Sequence, residues 1–430
     1  MIGGTLRVGL LGCGNVGAAV VRLLDAHADD IARRAGCRLE VARVAVRDPS
    51  KVRDVPLDRL RFTEDATAVV EDPDVDIVCE LIGGLEPAGS LVLAAFERGK
   101  PVVTANKELL ATRGRELFDA SDAKGLDLYF EAAVGGGIPL IRPLKESLTG
   151  ERLRRVMGIV NGTTNFILTR MTEQGRSFEE VLAQAQALGY AEADPSADVD
   201  GHDAAAKCAI LASIAFNARV TAADVYREGI SGVRPEDLAF AARLGYVVKL
   251  LAIAELVDGD RIAARVHPAM IPADHPLAAV RDAYNAVFVE GPHVGELMFY
   301  GRGAGGDATA TAVVGDLVSV ARNLLAGTRG VGCTCFHERE LRPIEEMEGQ
   351  YYLLTRVEDR PGVLAEIAGV FGRKRVSIKS VWQEGTGEDA HLVFVTHRAR
   401  EGAFQEAVAE IRRLAPVREV RSVLRVEAEE

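Results

Sequence analysis

No uninterrupted apolar run of about 18 residues occurs in the 430-residue sequence, so no segment is expected to cross a membrane as a helix. Met1 to Val8 leads straight into a strand-like segment, without a basic stretch, apolar core and small-residue cleavage site, so no secretory leader is expected. Basic charge is in deficit: 51 Lys and Arg stand against 63 Asp and Glu, a formal net charge of −12. That argues against a nucleic-acid binder, which needs a basic footprint. Cysteine is sparse, with six residues at 13, 37, 79, 208, 333 and 335. Only Cys333-Thr334-Cys335 is a close pair, and no second Cys or His pair follows at zinc-finger spacing. The cysteines therefore read as reduced and mostly structural, and the chain as cytoplasmic. No internal repeat or low-complexity segment is visible. What remains is ordinary globular material, 48% apolar and 27% charged, long enough for about three domains.

Residues 7–11 read as a short buried strand, followed by Gly12-Cys13-Gly14-Asn15-Val16-Gly17 and then helical spacing over 18–35. A second strand is expected at 41–46, so the glycine turn sits inside a βαβ unit. Strands at 76–79, 101–104 and 126–132 alternate with helices at 88–98 and 107–124. This rhythm predicts a doubly wound parallel sheet of the Rossmann type over residues 1–130. Gly135-Gly136-Gly137 and Pro139 then interrupt regular structure. Helices are expected at 178–188, 203–217 and 235–255, with strands at 154–160 and 286–290: an α+β domain. A loop at Gly301–Gly306 leads into a helix over 308–325. From about 350 the order is strand (351–357), helix (363–373), strands (377–383 and 391–397), helix (401–414), strand (417–426), the ferredoxin-like βαββαβ unit. Glu427 to Glu430 read as a solvated acidic tail.

The Gly12-x-Gly14-x-x-Gly17 turn suits a dinucleotide pyrophosphate seated at a helix N-terminus, against the plainer reading of a bare structural turn. Arg47 directly after the second strand, with Lys51 behind it, favours the 2′-phosphate of NADP; Asp48 keeps NAD open, and Arg47 could simply be solvated. Lys107 follows Thr104 at the carboxyl end of a sheet strand, where ligands bind, or else is a surface residue at a helix start. Five carboxylates fall between Glu192 and Asp203, broken by Pro195 and Gly201. Asp203 and Lys207 share a helix face four residues apart, which by itself is most simply a weak surface ion pair.

The run from Ala185 through Gly189-Tyr190-Ala191, Asp194-Pro195, Asp198-Val199, Gly201 and Asp203 to Lys207 resembles the signature of the homoserine dehydrogenase family. Asn161-Gly162-Thr163-Thr164-Asn165, Glu131 to Ile138 and the Gly301 loop agree with that family in order and spacing, so the resemblance spans about 1–345. The tail, with Asp359-Arg360-Pro361-Gly362-Val363-Leu364 as its opening turn, resembles an ACT regulatory domain.

The resemblance implies domains at 1–130 (NAD(P)-binding), 131–306 (substrate binding and dimerisation), 307–345 (a helical return packing on the first) and 350–430 (ACT). It implies reversible reduction of L-aspartate 4-semialdehyde to L-homoserine with NADP, or NAD, in threonine, methionine and isoleucine biosynthesis. Lys207 would donate the proton, with Lys107 and Asp203 also catalytic. Glu192, Asp198, Tyr190, Gly162 and Thr163 would hold the substrate. Gly12, Gly14, Asn15, Val16, Gly17, Arg47, Lys51, Ile82, Gly83, Thr104, Lys107 and Gly303 would hold the cofactor. Glu131, Val134, Gly136 and Ile138 would hold a monovalent cation such as Na+ or K+, one carboxylate with main-chain carbonyls, against the alternative of a plain interdomain hinge. Threonine is the expected effector of the ACT domain, unless that domain serves only dimerisation, and a homodimer or homotetramer the expected assembly, with no nucleic-acid or membrane partner. Two rivals stay open. Oxidation of the aldehyde to an acyl phosphate needs a thiolate, for which Cys208 beside the apolar run Ala209–Ala212 is the only candidate near the cluster. An amino-acid-sensing dinucleotide binder would leave Asp203 and Lys207 without a role.

Overall fold

The structure, a computed structural model, describes residues 4–387 and 390–428. The first elements are β1 (Thr5–Leu11), α1 (Asn15–Ala26), α2 (Ala28–Ala35), β2 (Arg38–Ala45), β3 (Phe62–Thr63), α3 (Ala66–Glu71), β4 (Ile77–Glu80), α4 (Ala88–Glu97), β5 (Val102–Thr104), α5 (Lys107–Lys124) and β6 (Leu128–Tyr129). Then come β7 (Arg155–Ile159), α6 (Gly162–Gln174), α7 (Phe178–Ala187), α8 (Ser196–Val199), α9 (His202–Ala215), β8 (Tyr226–Arg227), α10 (Pro235–Arg243), β9 (Tyr246–Val257), β10 (Arg261–Pro272), β11 (Tyr284–Gly291), β12 (Gly295–Arg302) and α11 (Gly306–Ala326). The tail holds β13 (Glu348–Val357), α12 (Val363–Arg373), β14 (Ile378–Glu384), β15 (Ala390–Thr396), β16 (Ala399–Arg400), α13 (Glu401–Ile411) and β17 (Val417–Val426). The chain divides into two compact units. One comprises the residues up to Val156 with Ala206–Asp224 and Asn285–Glu338; the other comprises Met157–Ala205, Val225–Tyr284 and the residues from Arg339 onward.

The first unit is built on a six-stranded sheet of order β3-β2-β1-β4-β5-β6, parallel throughout. Its central strands read as unbroken apolar runs because both faces are covered: Val8, Leu10, Leu11, Ile77, Val78 and Cys79 are wholly buried. Helix α11 packs Val313, Leu317 and Val320 into the same core as Val8, Leu10 and Val20. The strand order reverses between β1 and β4, and at such a switch point a parallel sheet opens a ligand crevice beyond its carboxyl ends.

In the second unit β9 and β10 pair antiparallel over their whole length, from Val257 opposite Arg261 to Tyr246 opposite Pro272. The expected helix over 235–255 is therefore half wrong. It stops at Arg243, Gly245 follows at a φ of 82°, and the apolar run from Tyr246 is a buried strand. β10 and helix α6 were not anticipated.

The tail forms the expected βαββαβ module, its four strands ordered β17-β13-β15-β14 and antiparallel. Tyr351 stacks on Phe404 at 4.1 Å in its core. β17 also pairs parallel with β10, Ala269 with Arg425 and Met270 with Val426, so the tail's sheet runs on into the β9–β10 hairpin of the same chain.

A buried ion cluster lies at that seam. Arg425 donates to Glu401 at 2.9 and 2.8 Å and to Glu228 at 2.9 and 3.0 Å. Arg265, equally buried, pairs with Glu255 at 2.5 Å and Glu427 at 3.0 Å. Glu427 is thus not a solvated tail residue; its amide also donates to the Met270 carbonyl at 2.9 Å. Glu429 and Glu430 lie outside the described residues.

Candidate active site

At the switch point of the parallel sheet lies a cleft of about 980 Å³. Gly12, Gly14, Asn15, Arg47, Lys51, Ile82 and Gly83, all among the residues expected to hold the cofactor, line it. Gly12 has a φ of 97°, and a Cβ there would lie 2.7 Å from the Leu81 carbonyl oxygen. Gly14 is the N-cap of α1 and carries no side-chain cap, which leaves first-turn N–H groups pointing toward an anion. The residues present therefore fit a dinucleotide pyrophosphate.

Val16, Gly17, Thr104, Lys107 and Gly303 do not line this cleft. A Cβ on Gly17 would lie 2.3 Å from the Gly12 carbonyl oxygen, so this glycine serves the close fit of helix to turn. Thr104 is fully buried and donates to Glu80 Oε2 at 2.5 Å. Gly303 is buried against Asn285. Lys107 opens α5, whose N-cap Asn106 accepts from the Leu109 amide at 3.1 Å.

Several lining residues escaped the sequence reading, among them Arg22, Arg53, Glu64 and Glu86. Arg53 donates to the Cys13 carbonyl at 3.2 Å and to those of Asp48 and Lys51 at 3.0 and 2.9 Å. Beneath the cleft, fully buried Glu80 accepts from the Ile82 and Gly83 amides at 2.8 and 3.1 Å and so fixes the turn after β4. A lone Arg in a polar loop and an acidic strand end gave no usable signal.

The turn from Glu131 to Ile138 also belongs to the first unit, with Gly135 and Gly136 at φ of 75° and 56°. A Cβ on Gly136 would lie 2.6 Å from the Gly303 carbonyl oxygen, so the two glycine-rich loops meet. Glu131 has main-chain partners of its own in this turn. Its carboxylate accepts from the amides of Leu140 at 2.5 Å, Ile141 at 2.8 Å and Arg142 at 2.9 Å. A carboxylate that accepts from three N–H groups caps the segment after the turn. Among the described residues no group of three or more His, Cys, Asp or Glu could hold a metal ion. The neighbouring Asp316 is wholly buried; burial pushes its carboxyl up to about 7, against the opposing pull of the Glu131 amide and Arg142.

In the second unit Asn161 caps α6, its Oδ1 accepting from the Thr164 amide at 2.9 Å. Its Nδ2 donates both to Asp198 Oδ1 at 2.7 Å and to Asp203 Oδ2 at 2.8 Å. Two segments distant in sequence thus converge on one amide. The role of Asn161 was missed, although its motif was noticed, because only the tertiary fold sets the two carboxylates around it. Thr163 Oγ1 donates to the Tyr190 carbonyl at 2.8 Å, and the Tyr190 ring lies 4.8 Å from Phe166. A Cβ on Gly162 would lie 2.8 Å from the Ala283 carbonyl oxygen. Glu192 is exposed, and the Asn161 bonds do not include it. Asp203 and Lys207 stand one turn apart on α9 and retain only 9% and 8% exposure. That is not the solvated surface pair a bland reading would require. Cys208 is 1% exposed within the same helix, consistent with core packing.

The parallel sheet, the glycine turn at its switch point and the cleft beyond it define an NAD(P)-binding oxidoreductase with a C-terminal ACT domain. Comparison with known proteins narrows the class. Residues 139–318 match the homoserine dehydrogenase model, 12–131 the homoserine dehydrogenase NAD-binding domain and 351–416 the ACT domain. The chain is 50% identical to a homoserine dehydrogenase of Mycobacterium tuberculosis H37Rv over 430 residues, covering 98% of this chain and 97% of that protein. It is 49% identical to one from Corynebacterium glutamicum over 429 residues, covering 99% and 96%. The solved structure of a homoserine dehydrogenase from Thiobacillus denitrificans superposes with a TM-score of 0.93 at 42% identity, covering 99% of both chains. The chain belongs to the homoserine dehydrogenase family. Among the described residues no helix is long and apolar enough to cross a membrane.

Proposed function

We propose that this chain reversibly reduces L-aspartate 4-semialdehyde to L-homoserine, with NADP preferred over NAD, as a cytoplasmic homodimer or homotetramer in threonine, methionine and isoleucine biosynthesis. The convergence of Asp198 and Asp203 on the Asn161 amide carries this reading. An amino-acid substrate needs fixed carboxylates for its ammonium group, and this pair is held in place before substrate arrives.

A bound reduced nicotinamide supplies the hydride for the carbonyl carbon. The alkoxide that develops needs a proton and a nearby positive charge. Lys207 donates the proton from Nζ. Lys107 holds positive charge at the end of β5, and Asp203 orients the substrate end of the reaction. Asp198 and Glu192 take the ammonium group, and Gly162, Thr163 and Tyr190 shape the pocket. Gly12, Gly14 and Asn15 receive the pyrophosphate, with Gly17 allowing the turn.

The NADP preference rests on Arg47, Lys51 and Arg53 lining one cleft. Asp48, the residue that would favour NAD, is engaged elsewhere. Its carboxylate accepts from the Ser50 hydroxyl at 2.6 Å and amide at 2.8 Å, and these bonds hold it below the usual carboxylate range. A monovalent cation, where one binds, is held at the 131–138 turn through the main-chain carbonyls of Val134, Gly136 and Ile138. Glu131 keeps that turn in shape. Threonine is the proposed effector of the ACT domain.

The test is NADP-dependent oxidation of homoserine by the wild type and by Lys207→Ala, with folding checked by circular dichroism. A loss of roughly 10²-fold or more in the folded variant is expected for a general acid–base group. An active folded variant moves the proton donor to Lys107. A wild type inactive with both coenzymes removes the proposal altogether.

A further inference from the structure

A second cavity, of about 230 Å³, opens in the first unit among α5, α9 and the segment after α11. Phe118, Phe130 and Ile210 give it apolar walls, while Lys145, Arg219, Cys333 and Cys335 bring chemistry to it. None of these residues has a part in the reaction proposed above.

The two cysteines are arranged to act on each other. The Cys335 amide donates to Cys333 Sγ at 3.5 Å. The Cys333 amide is anchored on Asp122 at 3.3 Å, and Cys335 Sγ donates to the Ser213 carbonyl at 3.8 Å. Lys145, buried, ties down the same segment through the Val331 carbonyl at 3.0 Å, with its ammonium group 5.5 Å from the Phe130 ring centre. Arg219 sits beside them, paired with Asp119 at 2.8 Å. Partial exposure, hydrogen bonds to sulfur and nearby cations are what favour a reactive thiolate. The other four cysteines are at most 7% exposed.

We propose that Cys333 and Cys335 form a peroxide-reactive dithiol, with Cys333 the attacking thiol and Cys335 the resolving one. The roles follow from the bonds: Cys333 Sγ accepts the Cys335 amide N–H, which favours a thiolate there, whereas the Cys335 thiol hydrogen is committed to the Ser213 carbonyl; the Cys333 thiol is correspondingly lowered and the Cys335 thiol raised. The Cys333 thiolate attacks one oxygen of a hydroperoxide. The O–O bond breaks, a sulfenic acid forms, and the departing oxyanion takes a proton from water to become an alcohol, or water when the peroxide is hydrogen peroxide. The Cys335 sulfur then attacks the Cys333 sulfur. The S–S bond forms, the S–O bond breaks, and hydroxide leaves with the Cys335 proton as a second water. Two thiols are oxidised by two electrons and one peroxide is reduced.

The disulfide removes the Cys335 donor from the Ser213 carbonyl on α9, the helix that carries Lys207. It forms on a segment also anchored on Asp122 of α5, the helix that begins at Lys107.

The experiment treats the reduced full-length protein with equimolar hydrogen peroxide, blocks remaining thiols with iodoacetamide and maps peptides by mass. The expected peptide containing residues 333–335 is lighter by two hydrogens and carries neither alkyl group. Cys335→Ser should instead leave a sulfenic acid at Cys333 that dimedone captures, and Cys333→Ser should leave Cys335 alkylated. Oxidation of Cys13 ahead of this pair, dimedone capture at Cys335 in place of Cys333, or a crosslink between two chains in a non-reducing gel would each overturn the proposal.

Discussion

Arg425→Met tests how the tail is held to the body of the second unit. The guanidinium makes four hydrogen bonds of 2.8 to 3.0 Å to carboxylates, two to Glu401 and two to Glu228, and a fifth to the Tyr226 hydroxyl oxygen at 3.2 Å. Removing it leaves two carboxylates without their cation. Glu228 keeps 37% of its side chain exposed and can rehydrate, whereas Glu401 keeps 3% and cannot. Breaking a buried pair from one side costs about 3–5 kcal/mol, and the partial exposure of Glu228 places this case near ~3 kcal/mol. Because the chain forms two compact units, a single melting curve is a poor gauge of that loss. Hydrogen exchange of the amides in β10 and β17 reads it locally, with an expected acceleration of about 10²-fold. Arg425→Met with Glu401→Leu should recover most of the loss, since an apolar pair leaves no buried charge behind.

The pH dependence supplies a second check. Burial alone would raise the Glu228 carboxyl, but the bonds and charge of Arg425 outweigh it and hold the group below its usual range. A folded-state value below the unfolded one adds stability that is present above the unfolded value and lost as pH falls through the folded one. In the variant the lowering by Arg425 is gone and burial is opposed chiefly by the Tyr226 hydrogen bond, so the stabilisation that Glu228 contributed above its unfolded value is lost. The penalty should therefore be largest near pH 8 and shrink toward pH 5. A loss below ~1 kcal/mol, or one flat across that range, would refute the account of this cluster.

Three other outcomes are expected. Gly17→Ala places a carbon 2.3 Å from the Gly12 carbonyl oxygen, so the turn must shift and the NADP dissociation constant in a fluorescence titration should rise at least tenfold, about 1.4 kcal/mol; unchanged affinity would refute the role given to that contact. Arg47→Ala should lower kcat/KM for NADP by about 10- to 10²-fold, the worth of one charged hydrogen bond, and leave that for NAD nearly unchanged; an equal fall with both coenzymes would end the 2′-phosphate assignment. Glu131→Gln keeps one carbonyl oxygen where the carboxylate served three amides, so stability should fall by about 2–4 kcal/mol in urea titrations at any Na+ or K+ concentration; unchanged stability with a lost cation dependence would make the carboxylate a ligand after all.

The sequence was most legible where one element solves one local problem. Strand, glycine turn and helix in the first thirty residues carry their own punctuation, and so do the alternating elements of the tail. The middle of the chain was harder. Tyr246 to Val257 is an apolar run whose periodicity does not separate a buried strand from a helix. The deciding signal was present but unread: Asp258-Gly259 follows it, both at positive φ, the backbone that a tight hairpin requires. At the candidate site the glycines and lysines were visible as residue types in a pattern. The work of Asn161, Glu80 and Glu131 was not, because each binds backbone or carboxylate groups that only the fold brings within reach.

The outward edge of β10 has a further consequence. Three separate pieces of chain cover it in turn: Leu341 bridges Ile262, β8 pairs with Arg265 and Val266, and β17 pairs with Ala269 and Met270. A truncation that deletes the ACT domain would leave the last third of that edge bare, in a strand whose residues from Val266 to Ile271 are all buried. An uncovered apolar edge is a template for pairing with another molecule, and Pro268, which lacks a donor, interrupts it only once. A tail-less chain would thus tend to self-associate as well as lose its ACT domain, and the two effects would be confounded in an activity assay.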